Sequence, residues 1–116
     1  ILSSIIISQI ILGCSYSSEN DLIDTPTQPT MVTYTTHIKP IIDNNCIICH
    51  ANPAVSGANT SLLTYLDVKN SVESTNLISK ISGNGPGALM PFGGPSLPQN
   101  LIDLIIQWEV KGFLED

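Results

Sequence analysis

The sequence has little positive charge and few aromatic residues. Its 116 residues include four lysines, no arginine, one Trp, three Tyr and two Phe. This shortage of basic residues argues against a nucleic-acid-binding protein, because such proteins need Lys and Arg to neutralise phosphates. Ten Asp and Glu residues give a net charge of −6. The sequence also lacks an apolar run of 18 or more residues, so no standard spanning helix is predicted.

The scarcity of aromatic residues raises the question of what builds the core. The length corresponds to one domain at most. Hydrophobic residues make up 42% of the chain, which is too high for a chain disordered throughout. A domain this small commonly needs a disulfide, a metal or a cofactor in addition to its side chains. We therefore looked for residues that could supply such a link.

The N-terminus is typical of an export signal. Residues 1–13 are uncharged and mostly apolar and end in Gly13, directly before Cys14. Cys14 resembles the lipid-attachment cysteine of bacterial lipoproteins, which predicts cleavage before it and a lipid anchor on it. The alternative is a buried strand or helix with a free thiol. A lipidated protein would lie on the periplasmic side of a bacterial membrane, and Ser15 favours the outer membrane because it does not resemble an inner-membrane retention signal.

The anchor is followed by a segment whose composition does not predict a fold. Residues 15–30 are nearly all Ser, Thr, Pro, Asn, Gln, Asp or Glu, which cannot bury enough apolar surface to fold. We predict that residues 14–30 form the lipid anchor and a flexible tether. The folded domain is then residues 31–116.

The segment Cys46-Ile47-Ile48-Cys49-His50 carries the strongest motif. C-x-x-C-H is the haem c attachment pattern: two thiols one helical turn apart add to the porphyrin vinyl groups, and the next residue places an imidazole under the iron. Three other kinds of site use paired cysteines. A thioredoxin-like redox pair lacks a flanking βαβ pattern, a zinc site lacks a second pair of ligands, and a disulfide would be strained in a helix.

Met90 is the predicted second axial ligand. It lies in residues 83–95, which hold five of the eight glycines and three of the eight prolines. Such a segment predicts a shaped loop, not a helix. Met is a common sixth ligand in haem electron carriers, although it also serves as core filler. His37 is the alternative distal ligand, but it starts on the same helix as the attachment motif. We therefore predict a surface histidine there.

Helical spacing of apolar residues places the motifs in a helical domain. Thr35 or Thr36 can cap a first helix that contains Pro40 and ends near Asn45. Residues 51–59 predict a loop, and further helices are predicted over 61–69 and 75–82. A last helix runs from Pro98 to Gly112. Its predicted apolar stripe consists of Leu101, Leu104, Ile105 and Trp108, with Ile102 and Ile106 widening it, and Trp108 is expected to serve packing rather than electron relay.

With these motifs in place, residues 32–113 resemble small class I c-type cytochromes. The combination of C-x-x-C-H with a Met-Pro loop is the specific part, and residues 34–42 are similar to single-haem domains of environmental bacteria. The resemblance implies an all-α fold of three to four short helices around one covalent haem c. It also implies thioether bonds at Cys46 and Cys49, with His50 and Met90 as iron ligands.

The expected activity is electron transfer, not enzymatic catalysis, because an iron with both axial positions filled has no open position for a substrate. The acidic charge suggests redox partners with a basic docking patch. Two alternatives remain open: a haem-based sensor or ligand-binding module, and an electron-entry domain that serves a larger redox enzyme.

Overall fold

The computed structural model describes residues 28–74 and 76–116, and this part of the chain is helical with no β-strand. A π-helical turn, Tyr34–Ile38, leads directly into the first of five α-helices. These are α1 (Lys39–Asn45), α2 (Ile47–His50), α3 (Tyr65–Ser74), α4 (Leu77–Ser82) and α5 (Gln99–Val110). The predicted all-α class is confirmed. The helix count is higher than predicted because Cys46, at φ −122°, interrupts the first helix and separates α2 from α1.

The π-helical turn and α1 together form the first helical segment, residues 34–45. The start of this segment differs from the prediction. Thr35 and Thr36 lie inside the π-helical turn, so neither side chain caps its N-terminus. The amides of Tyr34 and Thr35 instead donate to the carbonyls of Leu114 and Glu115, at 2.8 and 3.0 Å. The C-terminal segment therefore satisfies helix donors that would otherwise need a side-chain cap.

The second predicted helix, 61–69, is displaced toward the C-terminus, since α3 spans Tyr65–Ser74. A reciprocal pair of hydrogen bonds sets its start. The Thr64 amide donates to Asp67 Oδ2 at 3.0 Å, and the Asp67 amide donates to Thr64 Oγ1 at 3.2 Å. This is a capping box with Asp in place of Glu. The Ser61 hydroxyl, at 3.1 Å from the same carboxylate oxygen, lies in the preceding loop.

The predicted loop after α4 is confirmed. Gly83 ends the helix in the left-handed conformation, at φ +69°, and residues 84–98 contain no helix. The chain then passes very close to α4. A Cβ at Gly85 would lie 2.5 Å from the Cβ of Ser79, so only glycine fits at this crossing.

The boundaries of α5 are close to those predicted. The helix spans Gln99–Val110, and Gly112 follows it at φ +85°. A glycine in the left-handed conformation just beyond the last turn is a common helix stop.

The buried face of α5 is rotated relative to the predicted stripe. Ile105 and Trp108 are buried as expected, but the third buried residue is Ile102. Leu101 and Leu104 are only half-buried, because both line a shallow groove between α5 and the first helical segment. Both still pack against the core, so this part of the predicted stripe lies at its edge, whereas Ile106, which was predicted to widen the apolar face, is exposed.

An aromatic cluster forms one end of the core. The Trp108 ring centroid lies 4.8 Å from that of Phe113, 5.7 Å from that of Tyr34 and 5.9 Å from that of Tyr65. The Trp108 side chain is fully buried, and its indole N–H donates to the Leu114 carbonyl at 2.8 Å. Packing is the role predicted for Trp108, and all aromatic residues in the described part of the chain except Phe92 belong to this cluster. The remaining buried hydrophobic residues are Val32, Ile38, Ile41, Ile42, Leu62, Val68, Val72, Leu77, Ile81, Leu97, Ile102 and Ile105.

The predicted export signal, residues 1–13, and the predicted lipid site Cys14 lie outside the described residues, as does the tether up to residue 27. The described chain contacts α5 at once, since the Gln28 side-chain amide donates to the Asn100 carbonyl at 3.4 Å. Within residues 28–74 and 76–116, no helix has the length and apolar character needed to cross a membrane.

Candidate cofactor site

The four predicted site residues line one cavity. It has a volume of about 710 Å³. It is bounded by α2, the loop after it, α4 and the glycine-rich loop, residues 83–95. Cys46, Cys49 and His50 enter from the attachment motif, and Met90 enters from the glycine-rich loop. The volume lies within the usual range for small-molecule and cofactor sites. Most other lining side chains are apolar: Ile48, Ala58, Leu62, Leu77, Ile81, Ala88, Pro91, Phe92 and Leu97.

The two thiols are held one helical turn apart and are not joined to each other. The Cys49 amide donates to the Cys46 carbonyl at 3.1 Å, and the His50 amide donates to the same carbonyl at 2.9 Å. Both cysteines are free and partly buried. Burial raises the pKa of the Cys46 thiol to about 11, so this thiol is neutral at physiological pH. Redox C-x-x-C pairs depend on a lowered thiol pKa, and the shift here has the opposite direction.

His50 has one ring nitrogen held and the other free for a ligand. Its Nδ1 lies 2.7 Å from the Thr60 carbonyl oxygen. A carbonyl can only accept a hydrogen bond, so Nδ1 carries a proton, and in the neutral tautomer Nε2 keeps its lone pair. Metal-ligating histidines commonly have such a second partner, which fixes both tautomer and ring orientation. The Leu62 amide also donates to the His50 carbonyl, at 2.8 Å, and thereby holds the returning loop against α2.

Met90 is held in the cavity wall by its backbone. Its amide donates to the Lys80 carbonyl at 3.1 Å, which ties the glycine-rich loop to α4. The Met90–Pro91 peptide bond is cis. The side chain is half-buried and packs against the edge of the core. Met90 follows His50 by 40 positions in the sequence, so only the course of the chain through α3 and α4 brings the two residues to one cavity.

His37 does not line this cavity. It lines the separate groove, about 310 Å³, between the first helical segment and α5. Its Nδ1 accepts a hydrogen bond of 3.1 Å from the Thr33 amide, immediately before the π-helical turn. The role that the structure gives to His37 is therefore to satisfy a backbone donor at the helix start. The sequence prediction of a simple surface histidine did not include this contact.

The described residues do not form a conventional zinc site. No group of three or more His, Cys, Asp or Glu side chains in residues 28–74 and 76–116 is placed to hold a metal ion. A structural zinc site needs four such ligands around one point. A haem iron needs only two axial ligands from the protein, and the thiols of an attachment motif bind the porphyrin edge instead of the metal.

Among the lining residues that were not predicted from the sequence, two stand out by their chemistry. Thr60 contributes only its backbone carbonyl to His50, and any residue type could supply that atom, so no sequence pattern could reveal it. Lys80 is the only Lys, Arg, Asp or Glu among the described residues that line the cavity. The only sequence signal for this position is that Lys80 directly precedes Ile81, an apolar residue of the predicted helix 75–82.

The residues present fit a covalently attached haem. The cavity offers two free thiols, an imidazole with an available Nε2 and a thioether, within a largely apolar lining. Comparison of the chain with protein-family models, with curated proteins and with solved structures gives no match. The functional interpretation of this cavity therefore depends on its own residues.

Proposed function

We propose that this chain is a single-haem c-type cytochrome that carries electrons. One observation supports the proposal above all others. The cavity brings Met90 together with Cys46, Cys49 and His50, although Met90 comes from a loop far along the chain. A C-x-x-C-H motif alone has several possible uses. A thioether and an available imidazole nitrogen in the same apolar cavity match the two axial ligands of a haem electron carrier.

Each residue has a definite role in this proposal. Cys46 and Cys49 would hold the haem through their sulfurs, by addition of each thiol across a vinyl group, which needs no oxidant. His50, through Nε2, and Met90, through its sulfur, would hold the iron. When bound, haem would supply an iron that alternates between Fe(III) and Fe(II). With both ligands in place no position would be left for a substrate, so the protein would act as a carrier and not as an enzyme.

The surroundings of the four residues suit this role. Thr60 fixes the His50 ring through Nδ1, which limits its movement between oxidation states. The hydrogen bond from Met90 to the Lys80 carbonyl restrains the loop that presents the thioether. A thioether ligand would raise the reduction potential relative to two histidines.

Location and partners are part of the same proposal. The predicted lipid on Cys14 would hold the domain on the periplasmic side of a bacterial membrane, with the outer membrane favoured. The acidic chain, at net −6, suits redox donors and acceptors with a basic docking patch. Such encounters are usually small, weak and sensitive to salt.

The test is a pair of methionine variants made in cells that attach haem c. The wild-type protein is expected to contain one covalent haem and, when oxidised, to show the weak long-wavelength band of methionine-to-iron charge transfer. Met90→Ala should lose this band and, when reduced, should bind carbon monoxide. Met31→Ala is the matched control, because Met31 is 62% exposed and lies outside the cavity lining. Its band should be unchanged.

Two results would overturn the proposal. If the wild-type protein made in these cells carries no covalent haem, the chain is not a c-type cytochrome. A wild-type protein that contains haem, lacks the band and binds carbon monoxide when reduced would favour the sensor alternative, since its sixth position would be open. Far-UV circular dichroism of both variants separates loss of the ligand from loss of the fold.

A further inference from the structure

Lys80 differs in its surroundings from other lysines of the chain. Lys39 forms an ion pair with Asp43, and the Lys69 ammonium lies 5.4 Å from the centroid of the Phe113 ring. Lys80 lines the cavity. Within residues 28–74 and 76–116, its ammonium group forms no salt bridge and no side-chain hydrogen bond.

The cavity around Lys80 contains no acidic residue to neutralise it. The described lining holds no Asp and no Glu, although the chain as a whole has ten of them against four lysines. The Lys80 side chain is half-buried, and a Cβ on Gly87 would lie 3.0 Å from its Nζ. The ammonium group is therefore close to the backbone of the glycine-rich loop, beside the cavity.

We propose that Lys80 binds a carboxylate of the molecule that occupies the cavity. This inference rests on the proposed function, in which that carboxylate is a propionate of haem. A carboxylate in a largely apolar cavity is costly unless it is paired and hydrogen-bonded. An ammonium–carboxylate hydrogen bond is one of the stronger pairings available, and Lys80 is the only ammonium that the described lining offers.

The same residue would then act on the cofactor in two ways. Its backbone carbonyl accepts the hydrogen bond from Met90, and its ammonium group neutralises the propionate. A positive charge near the iron disfavours Fe(III), which carries more charge than Fe(II), so Lys80 raises the reduction potential. This effect depends on charge and distinguishes the proposal from a purely structural role of the side chain.

The experiment compares the holoprotein with Lys80→Met, Lys80→Arg and a matched control, Lys111→Met. Lys111 is exposed, follows α5 and does not line the cavity. Redox titration at low ionic strength measures the Fe(III)/Fe(II) ratio at a fixed applied potential. Lys80→Met should raise this ratio by about three- to tenfold, since charges across a protein cavity are only partly screened. Lys80→Arg should restore it to within about twofold, because the charge is kept, and Lys111→Met should leave it unchanged.

A second measurement tests the contact itself. The propionate bending band in the resonance Raman spectrum responds to hydrogen bonding of the carboxylate. It should shift in Lys80→Met and stay in place in Lys111→Met. If Lys80→Met is recovered without covalent haem while Lys80→Arg carries it, a positive charge at this position is needed for haem attachment, which also supports the proposal.

The outcomes separate this proposal from the proposed function. If wild type and Lys80→Met both hold covalent haem with the same potential and the same propionate band, the role of Lys80 is overturned and the cytochrome proposal stands. If Lys80→Met and Lys80→Arg are both recovered without covalent haem, a specific role for the charge is overturned. A wild-type protein without covalent haem overturns the proposed function and the Lys80 proposal together.

Discussion

Replacing Trp108 by Phe separates packing from electron relay. The indole is fully buried and contacts three other aromatic rings. It does not line the cavity that contains Met90 and the attachment motif. We therefore expect Trp108→Phe to lower stability without changing the rate of electron exchange in the folded protein.

The size of the effect follows from two contributions. Loss of the indole N–H removes a 2.8 Å hydrogen bond to the Leu114 carbonyl. That carbonyl also accepts from the Tyr34 amide, at 2.8 Å, so it stays bonded and the loss is about 0.5–1 kcal/mol. The smaller ring leaves a void in a fully buried position, which costs about 1–2 kcal/mol. Together these give about 1.5–3 kcal/mol, a fall in Tm of roughly 6–24 °C for a domain of this size.

The assay is thermal and urea unfolding of the holoprotein, with electron exchange measured at a temperature where both proteins are folded. Val110→Ala is the control on the same helix, because Val110 is 76% exposed. Its stability should change by no more than about 0.5 kcal/mol. A stability loss below about 1 kcal/mol for Trp108→Phe would refute the packing argument. Slower electron exchange in the folded variant would show that Trp108 relays electrons.

Three further predictions concern the covalent attachment of the cofactor and the N-terminal cap of α3. Replacing both Cys46 and Cys49 by Ala should leave the chain mostly unfolded, and native-like far-UV circular dichroism without bound haem would contradict this. Thr64→Ala should lower the free energy of unfolding by about 0.5–2 kcal/mol in urea titrations, because the capping box is broken, whereas Thr64→Ser should keep most of it. Burial tends to raise the pKa of Asp67, but hydrogen bonds from Thr64 and Ser61 outweigh burial and hold it below its usual value. The ionised Asp67 carboxylate therefore stabilises the folded state at pH values above the usual pKa of Asp. This stabilisation is lost as the pH falls through the lower pKa that Asp67 has in the folded protein. Unfolding measured at pH 7 and at about pH 3 should therefore show a smaller acid loss for Asp67→Asn than for wild type, and an equal loss would argue against this assignment.

Helices with strong local patterns were predictable from the sequence, and their precise faces were not. In the last helix, apolar residues recur at helical spacing over several turns and a glycine follows the last turn. Its bounds therefore follow from local preferences. Which of its apolar residues lie deepest depends on where the first helical segment crosses it, and this is set by tertiary packing. Leu101 and Leu104 lie at the edge of that contact and are therefore only half-buried.

The start of α3 was predictable in principle but was missed. Thr64 and Asp67 have the spacing of a capping box, yet the apolar residues before them extended the predicted helix too far toward the N-terminus. The start of the first helical segment was a different case. Its amides are satisfied by carbonyls of Leu114 and Glu115, and a backbone acceptor that distant leaves no pattern near the helix.

Residue types that carry their own chemistry made the candidate site predictable. Cysteine, histidine and methionine at the right positions pointed to one cofactor, and the four residues share one cavity. The surroundings were not predictable, because Thr60 acts through its backbone and Lys80 reaches the cavity only after α4 has docked. Both depend on the path of the loops, which no local pattern specifies.

The contact between the two ends of the domain has a consequence for the order of folding. The backbone hydrogen bond from the Thr35 amide to the Glu115 carbonyl joins residues 80 positions apart in the sequence. Forming it requires closing a very long loop, so it carries a large entropic cost and forms late. The attachment motif and the helix in front of it are therefore exposed before the C-terminal contacts form. Under the cytochrome proposal, haem would be attached to the cysteines in this partly formed state, before the final contacts close the fold.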